Sequence, residues 1–125
     1  MTAPASLYSD VIRERWRRPR FRGELLDATG MAEDVNPLCG DRVRMFVRVE
    51  DGTVAGARFV GDACAICLAS ADVTAELAQG RSPAAAAALE ASDVLAVLRA
   101  DIRPTRMRCL TLPMSVLGMA LGRAR

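Results

Sequence analysis

The sequence contains no histidine and no lysine, so all 17 of its basic residues are arginine. Histidine is the commonest metal ligand among the side chains and the commonest general base in enzymes. Its absence excludes histidine-based metal sites and histidine-dependent catalysis. Any metal site or reactive site in this chain must therefore be built from other residues.

The chain also lacks a long apolar run. The most apolar late stretch, residues 110–121, is interrupted by Thr111, Pro113, Ser115 and Gly118 and is too short to cross a membrane. Residues 1–16 carry charges where a secretory signal would need an unbroken apolar segment. We therefore expect a cytoplasmic protein with no membrane association. In that compartment cysteines are more often metal ligands or reactive thiols than disulfide partners.

A formal net charge of +2 is too small to argue for nucleic-acid binding. The arginines do crowd one region, residues 13–22, which is either a solvated surface or a docking patch for an acidic partner protein. With 51% hydrophobic and 26% charged residues, the composition is typical of a globular protein. We expect one domain that spans residues 1–125.

The first half of the chain predicts a helix, a loop region and a hairpin. Ser6 or Ser9 can cap a first helix that ends before Pro19 and has Trp16 on or near its apolar face. Residues 21–29 give a weak signal for a short edge strand, and residues 31–35 are predicted to form a loop. Alternating apolar residues predict strands over 42–49 and 53–60, joined by an Asp51-Gly52 turn.

The second half predicts helices only. A helix is expected over residues 68–79, with Gly80 ending it. Ser82-Pro83 and Ser92 are predicted to begin two further helices. Cys109 is predicted to open a C-terminal helix that holds Pro113 in its first turn. The predicted fold class is α+β, a small antiparallel sheet of about three strands covered by helices.

Three of the four cysteines lie in short stretches beside turn formers or at predicted helix starts. These stretches are Asn36-Pro37-Leu38-Cys39-Gly40-Asp41, Gly61-Asp62-Ala63-Cys64 and Arg106-Met107-Arg108-Cys109. Thiolates are soft metal and sulfur ligands, and helix starts favour their charged form. If Cys39, Cys64 and Cys109 meet, three thiolates and the Asp41 carboxylate can hold zinc or a cluster. Asp41 can alternatively serve only to stabilise its own turn.

The fourth cysteine, Cys67, forms a Cys-x-x-Cys pair with Cys64, and this motif alone has three interpretations. It can supply two metal ligands, act as a redox pair, or combine one functional cysteine with a small buried one. The chain has no second Cys-x-x-Cys, which a zinc ribbon would need, and no βαβ setting for a thioredoxin-like enzyme. Near Cys109, Arg106 and Arg108 either lower the thiol pKa and stabilise a thiolate or persulfide, or simply point into water.

At these motifs the sequence resembles the U-type iron–sulfur cluster assembly scaffolds: IscU, SufU and the N-terminal domain of NifU. The resemblance covers nearly the whole chain. It extends from Leu7-Tyr8-Ser9-Asp10-Val11-Ile12 through Arg18-Pro19-Arg20 and the hairpin ending Ala57-Arg58-Phe59 to the third cysteine. The order of three cysteines, each in its own sequence context, makes the signal specific.

The resemblance implies a function and a set of site residues. Cys39, Cys64 and Cys109 match the three cluster ligands of the family, and Asp41 matches its additional ligand. Members accept persulfide sulfur from a cysteine desulfurase, with Cys109 or Cys64 as the candidate acceptor. They assemble a [2Fe–2S] cluster from iron for transfer to apo-proteins, or hold zinc at the same site. The alternative implied function is a zinc-dependent, SufU-like sulfurtransferase. The resemblance leaves open whether the chain forms a dimer.

The sequence also departs from the family pattern. Arg108 stands where IscU-like members have histidine, as in SufU-like proteins, yet the spacing from Cys64 to Cys109 is the compact IscU-like one. The Leu-Pro-Pro-Val-Lys chaperone-recognition stretch is replaced by Ile102-Arg103-Pro104-Thr105-Arg106, which argues against chaperone-assisted transfer. Cys67 stands where the family usually has a small residue, and we expect it not to be a ligand.

Overall fold

The computed structural model describes residues 9–122 and residue 124. A three-stranded antiparallel sheet in the order β1-β2-β3 forms one layer, and helices cover one of its faces. In chain order the elements are α1 (Asp10–Arg17), β1 (Gly30–Val35), β2 (Arg42–Glu50), β3 (Thr53–Asp62), α2 (Ala65–Ala78), α3 (Pro83–Ala87), α4 (Ala91–Leu98), a 3₁₀ turn (Pro104–Arg106) and α5 (Met107–Gly122). This confirms the predicted α+β class.

The hydrophobic core lies between the sheet and helices α2 and α5. Met45 and Val47 of β2 and Phe59 of β3 point to this side and are fully buried. Burial of such side chains contributes roughly 1.5–3 kcal/mol each. Helix α5 packs on β1 and β2, while α2 packs on β3 and on α5. The two helices that carry cysteines are thereby fixed against the same sheet.

The hairpin and the first helix agree with the sequence prediction. Asp51 and Gly52 have φ angles of 53° and 72°, which suit the tight turn between β2 and β3. Ser9 caps α1 by accepting a hydrogen bond from the Ile12 N–H at 3.1 Å. The alternative cap, Ser6, lies outside the described residues. Trp16 lies one helical turn after the buried Ile12, on the same side of α1, and is 46% exposed.

The predicted edge strand over residues 21–29 is wrong. The backbone of this segment pairs with β3 at Phe59, whose N–H donates to the Phe21 carbonyl and whose carbonyl accepts the Gly23 N–H. The segment then crosses to β2, where the Thr29 N–H donates to the Val47 carbonyl at 2.8 Å. The strand that completes the sheet beside β2 is instead β1, where a loop was predicted. Its buried positions are Gly30 and Ala32, which carry too little apolar side chain for the alternation to show in the sequence.

Three helix starts also differ from the prediction. Helix α2 begins at Ala65, so Cys67 lies inside it. Helix α4 is capped by Glu90 and Asp93 in a reciprocal capping box, not by Ser92. Helix α5 begins at Met107, which places Pro113 inside the helix instead of in its first turn. Ser82 does cap α3 as predicted.

One arginine of the arginine-rich region is buried against α2, and others lie at the surface. Arg15 is largely buried and pairs with Asp72 at 2.8 Å and with Glu76. The fully buried Asp72 carboxylate also accepts the Phe21 N–H at 2.8 Å, which ties the end of α1 to α2. Arg18 and Arg20 lie at the surface. Within the described part of the chain, no helix has the length and apolar character needed to cross a bilayer.

Candidate metal centre

The loop between β1 and β2 presents Cys39 and Asp41. The Asn36 side chain accepts the Leu38 N–H at 3.1 Å, and the Asn36 carbonyl accepts the Gly40 N–H at 2.7 Å. Gly40 has a φ of 77°, a conformation that favours glycine. The Asn36 N–H in turn donates to the Asp41 carbonyl at 2.7 Å. These bonds close the loop, with Cys39 exposed at its tip and Asp41 buried at its base.

Cys64 stands at the N-cap of α2, directly after β3. Its backbone N–H donates to Asp41 Oδ1 at 3.0 Å, and its thiol donates to Asp41 Oδ2 at 3.6 Å. The carboxylate thus bonds an N–H group that the helix start would otherwise leave without an intrahelical partner. Asp41 therefore connects the first cysteine loop to the second cysteine.

Cys109 is the third residue of α5 and is buried. Ser70, buried in α2, donates a hydrogen bond to the carbonyl of Leu110 and so fixes α5 beside α2 at the level of the cysteines. The Sγ atoms of Cys39 and Cys109 and a carboxylate oxygen of Asp41 all lie within 4.8 Å of one another. The three motifs that are far apart in the sequence therefore meet at one end of the sheet.

Burial disfavours the charged form of both Asp41 and Cys109, yet their pKa values shift in opposite directions. Burial opposes ionisation of Asp41, but hydrogen bonds from Cys39, the Cys64 N–H and Cys109 outweigh it, so the pKa of this carboxyl is lowered. Burial raises the pKa of Cys109 to about 12, although Arg106 beside the thiol lowers it in part. Arg106 therefore acts on the pKa of Cys109 in the expected direction, but burial outweighs it and the net pKa is raised.

Two further residues lie near the site in sequence, one buried in the core and one at the surface. Cys67 is fully buried in the core, and burial raises the pKa of its thiol far above the ordinary value. This favours the interpretation of Cys67 as a small apolar core residue over that of a redox partner. Arg108 is exposed and lines a surface groove with Asp34 and Thr111. The same groove is lined by Asn36 and Pro37 of the loop that carries Cys39.

Comparisons with known proteins identify the family of this chain. The family model described as the NifU-like N terminal domain matches residues 7–123. The chain belongs to this family. Over 70 residues it is 41% identical to a protein of Thermotoga maritima named iron–sulfur cluster assembly scaffold protein IscU, covering 56% of this chain and 49% of that one. Over 76 residues it is 34% identical to the zinc-dependent sulfurtransferase SufU of Bacillus subtilis, covering 61% and 51%.

The matched region therefore spans about half the length of these two relatives. Solved structures show the fold over nearly the whole chain. A protein of Fervidobacterium islandicum, described as a candidate cluster assembly scaffold of the SUF system, superposes with a TM-score of 0.79 at 24% identity. The match covers 92% of this NifU-like chain and 96% of the other. The shared sheet and helices confirm the predicted fold.

The donor set fits a soft or borderline metal. Zinc is bound tetrahedrally, with thiolate sulfur at about 2.3 Å, so two sulfur ligands of one ion lie about 3.8 Å apart. The donor atoms of Cys39, Asp41 and Cys109 lie within 4.8 Å of one another, so small side-chain movements would bring them to that spacing. Cys64 adds a third sulfur 3.6 Å from Asp41. Iron–sulfur clusters are likewise held by thiolates.

Two residues have a role in this site that was not predicted from the sequence. Asn36 organises the first loop, and the Asn-Pro pair is a turn signal that could have revealed it. Ser70 bonds α5 from the middle of an apolar helix, and no local pattern indicates it. The sequence did mark Arg106 and Arg108 as basic neighbours of Cys109, but it could not tell which one faces the thiols.

Proposed function

We propose that this chain is an iron–sulfur cluster assembly scaffold. It accepts sulfur from a cysteine desulfurase, assembles a [2Fe–2S] cluster on Cys39, Asp41, Cys64 and Cys109, and passes the cluster to apo-proteins. The observation that carries the proposal is that the sulfurs of Cys39 and Cys109 and a carboxylate oxygen of Asp41 lie within 4.8 Å of one another, while the Cys64 sulfur lies 3.6 Å from Asp41. A cytoplasmic carrier must also release its cluster, so at least one ligand has to be accessible to the recipient protein. Cys39 is exposed and can be that ligand.

In this proposal the four residues have different tasks. Cys109 and Cys64 are the candidate persulfide acceptors. The acceptor thiolate attacks the outer sulfur of the donor persulfide, a new S–S bond forms, and the desulfurase cysteine leaves as a thiolate, with no net oxidation. Two electrons from an external reductant of the ferredoxin or thiol class then cleave this S–S bond, which returns the acceptor thiolate and releases sulfide for the cluster. Asp41, held at the start of α2, supplies a hard oxygen donor that exchanges more easily on iron than a thiolate does.

Anaerobic reconstitution with iron and sulfide tests the scaffold function. The reconstituted protein should show sulfur-to-iron charge-transfer absorbance with two irons and two sulfides per cluster. Cys39→Ala should lose this absorbance, whereas Cys67→Ala, a matched control in the core, should keep it. Equal absorbance in the Cys39→Ala protein, or its loss in the Cys67→Ala protein alone, would contradict the assignment.

The second candidate function is a zinc-dependent sulfurtransferase that relays persulfide sulfur. It is favoured by the likeness to SufU of Bacillus subtilis and by a basic residue, Arg108, directly before the third cysteine. In this case the zinc form should strongly stimulate a cysteine desulfurase without forming any cluster. A cluster that forms and transfers to an apo-ferredoxin would instead support the scaffold.

A further inference from the structure

Ser70 is a fully buried polar residue in α2, a helix whose other buried residues are mostly apolar. Its hydroxyl donates to the carbonyl oxygen of Leu110, 40 residues later in the chain. Leu110 directly follows Cys109 in the first turn of α5, and Cys64 stands at the start of the helix that carries Ser70. This hydrogen bond therefore joins the two helices that present Cys64 and Cys109.

Pro113 makes the first turn of α5 dependent on a contact of this kind. Proline has no backbone N–H, so Pro113 cannot donate the helical hydrogen bond to the carbonyl four residues earlier, which is that of Cys109. The ring of an interior proline also clashes with that carbonyl and kinks the helix there. The turn that carries Cys109 therefore lacks one of the backbone bonds of a regular helix, and the Ser70 hydroxyl holds it from outside.

The position of this turn decides where the Cys109 sulfur lies. The sulfur is within 4.8 Å of the Cys39 sulfur and of an Asp41 carboxylate oxygen. Metal ligands have to be held within about 0.5 Å of their productive positions. A shift of the first turn of α5 along α2 by more than that would take Cys109 out of the donor set.

Thr74 provides the comparison within the same helix. It lies one helical turn after Ser70 and is equally buried, but its hydroxyl has no hydrogen-bond partner among the residues that the structure describes. A buried hydroxyl in α2 therefore does not by itself tie this helix to α5. The contact with Leu110 is particular to Ser70, which lies at the level of the cysteines.

We propose that Ser70 is a positioning residue of the metal centre, whose hydroxyl fixes the first turn of α5 against α2 and so holds the Cys109 sulfur within reach of the other donors. This inference rests on the proposed metal-binding function. Because neither the Ser70 hydroxyl nor the Leu110 carbonyl is a proposed ligand, the contact holds Cys109 in the metal-free protein as well.

Titration with cobalt(II), a spectroscopic substitute for zinc, tests the role. Ser70→Ala should weaken cobalt binding about 3–10-fold, the equivalent of one buried hydrogen bond. Its sulfur-to-cobalt absorbance per bound ion should fall toward that of Cys109→Ser. Thr74→Val is the matched control, because it removes an equally buried hydroxyl, and it should keep both the affinity and the absorbance. A loss of stability alone would lower the apparent affinity but not the absorbance at saturating cobalt.

A second measurement needs no metal. Cys109 is buried, so iodoacetamide should modify it slowly, and mass spectrometry of its peptide gives the rate. Ser70→Ala should accelerate this modification several-fold, whereas Thr74→Val should not. Urea unfolding shows whether each variant is folded under the conditions of both measurements.

The outcomes separate this inference from the proposed function. If folded Ser70→Ala keeps the absorbance per bound cobalt and the slow modification of Cys109, the role of Ser70 is wrong. If Thr74→Val loses both to the same extent, the effect is general to the core and the inference also fails. If Cys109→Ser binds cobalt with unaltered absorbance, Cys109 is not a ligand and the proposed metal site itself is wrong.

Discussion

Asp41 and Cys64 are joined by two hydrogen bonds that engage both oxygens of one carboxylate, at 3.0 Å from the Cys64 N–H and at 3.6 Å from its thiol. In the first bond, the side chain of Asp41, in the loop between β1 and β2, caps the N-terminus of α2. The second places the proposed oxygen ligand against a proposed sulfur ligand. One aspartate therefore both orders the metal-free site and belongs to the proposed donor set.

The lowered pKa of Asp41 predicts how stability changes with pH in the metal-free protein. The folded state holds this carboxyl below its ordinary pKa of 3.8, so its stabilising contribution is present above that value. The contribution is lost as the pH falls through the lowered folded-state pKa. Hydrogen bonds to a charged group are worth about 1.5–3 kcal/mol, which sets the expected magnitude.

Urea unfolding of the unaltered protein and of Asp41→Asn checks this prediction. The free energy of unfolding should favour the unaltered protein at neutral pH, and the advantage should shrink below about pH 4. An advantage that is the same at neutral and at acidic pH would show that ionisation of Asp41 does not stabilise the fold.

Cys67 should behave as a core residue and not as a ligand. Cys67→Ala should leave zinc stoichiometry unchanged. Cys67→Ser places a hydroxyl in the fully buried position and should destabilise the protein by about 1–3 kcal/mol. Metal analysis and thermal unfolding of both variants measure these effects. Loss of bound zinc from a folded Cys67→Ala protein would show that Cys67 is a ligand after all.

The buried pair of Arg15 and Asp72 should dominate the stability of the α1–α2 contact. Asp72→Ala leaves a largely buried guanidinium and the Phe21 N–H without this partner, and should cost about 3–5 kcal/mol in the free energy of unfolding. The matched control is Glu14→Ala, which removes the surface pair with Arg18 and should change stability by less than about 0.5 kcal/mol. Equal effects of the two variants in denaturant unfolding would contradict this account.

The sequence predicts the elements whose signal is local. The β2–β3 hairpin is clear because Val43, Met45 and Val47 alternate with arginines and because Asp51-Gly52 suits a tight turn. Strand β1 could not be recognised in the same way. Its side toward α5 consists of Gly30 and Ala32, and a Cβ at Gly30 would lie 2.3 Å from the Ala120 carbonyl oxygen. Close packing there requires small residues, which are not typical of a strand.

The candidate site was predicted through its residue types and the family resemblance, whereas its geometry required the fold. The meeting of Cys39, Asp41 and Cys109 depends on how α5 packs on the sheet. The hydrogen bonds from Cys64 to Asp41 depend on how the loop between β1 and β2 lies against the start of α2. Neither relationship is encoded in a short sequence window.

The most direct test of the central claim is X-ray absorption at the zinc edge of the zinc-loaded protein. The account predicts a first shell of three sulfurs and one oxygen, which should fall to two sulfurs in Cys39→Ser, Cys64→Ser or Cys109→Ser. A shell of four sulfurs in the unaltered protein, or an unchanged shell in any of these three variants, would contradict the proposed ligand set.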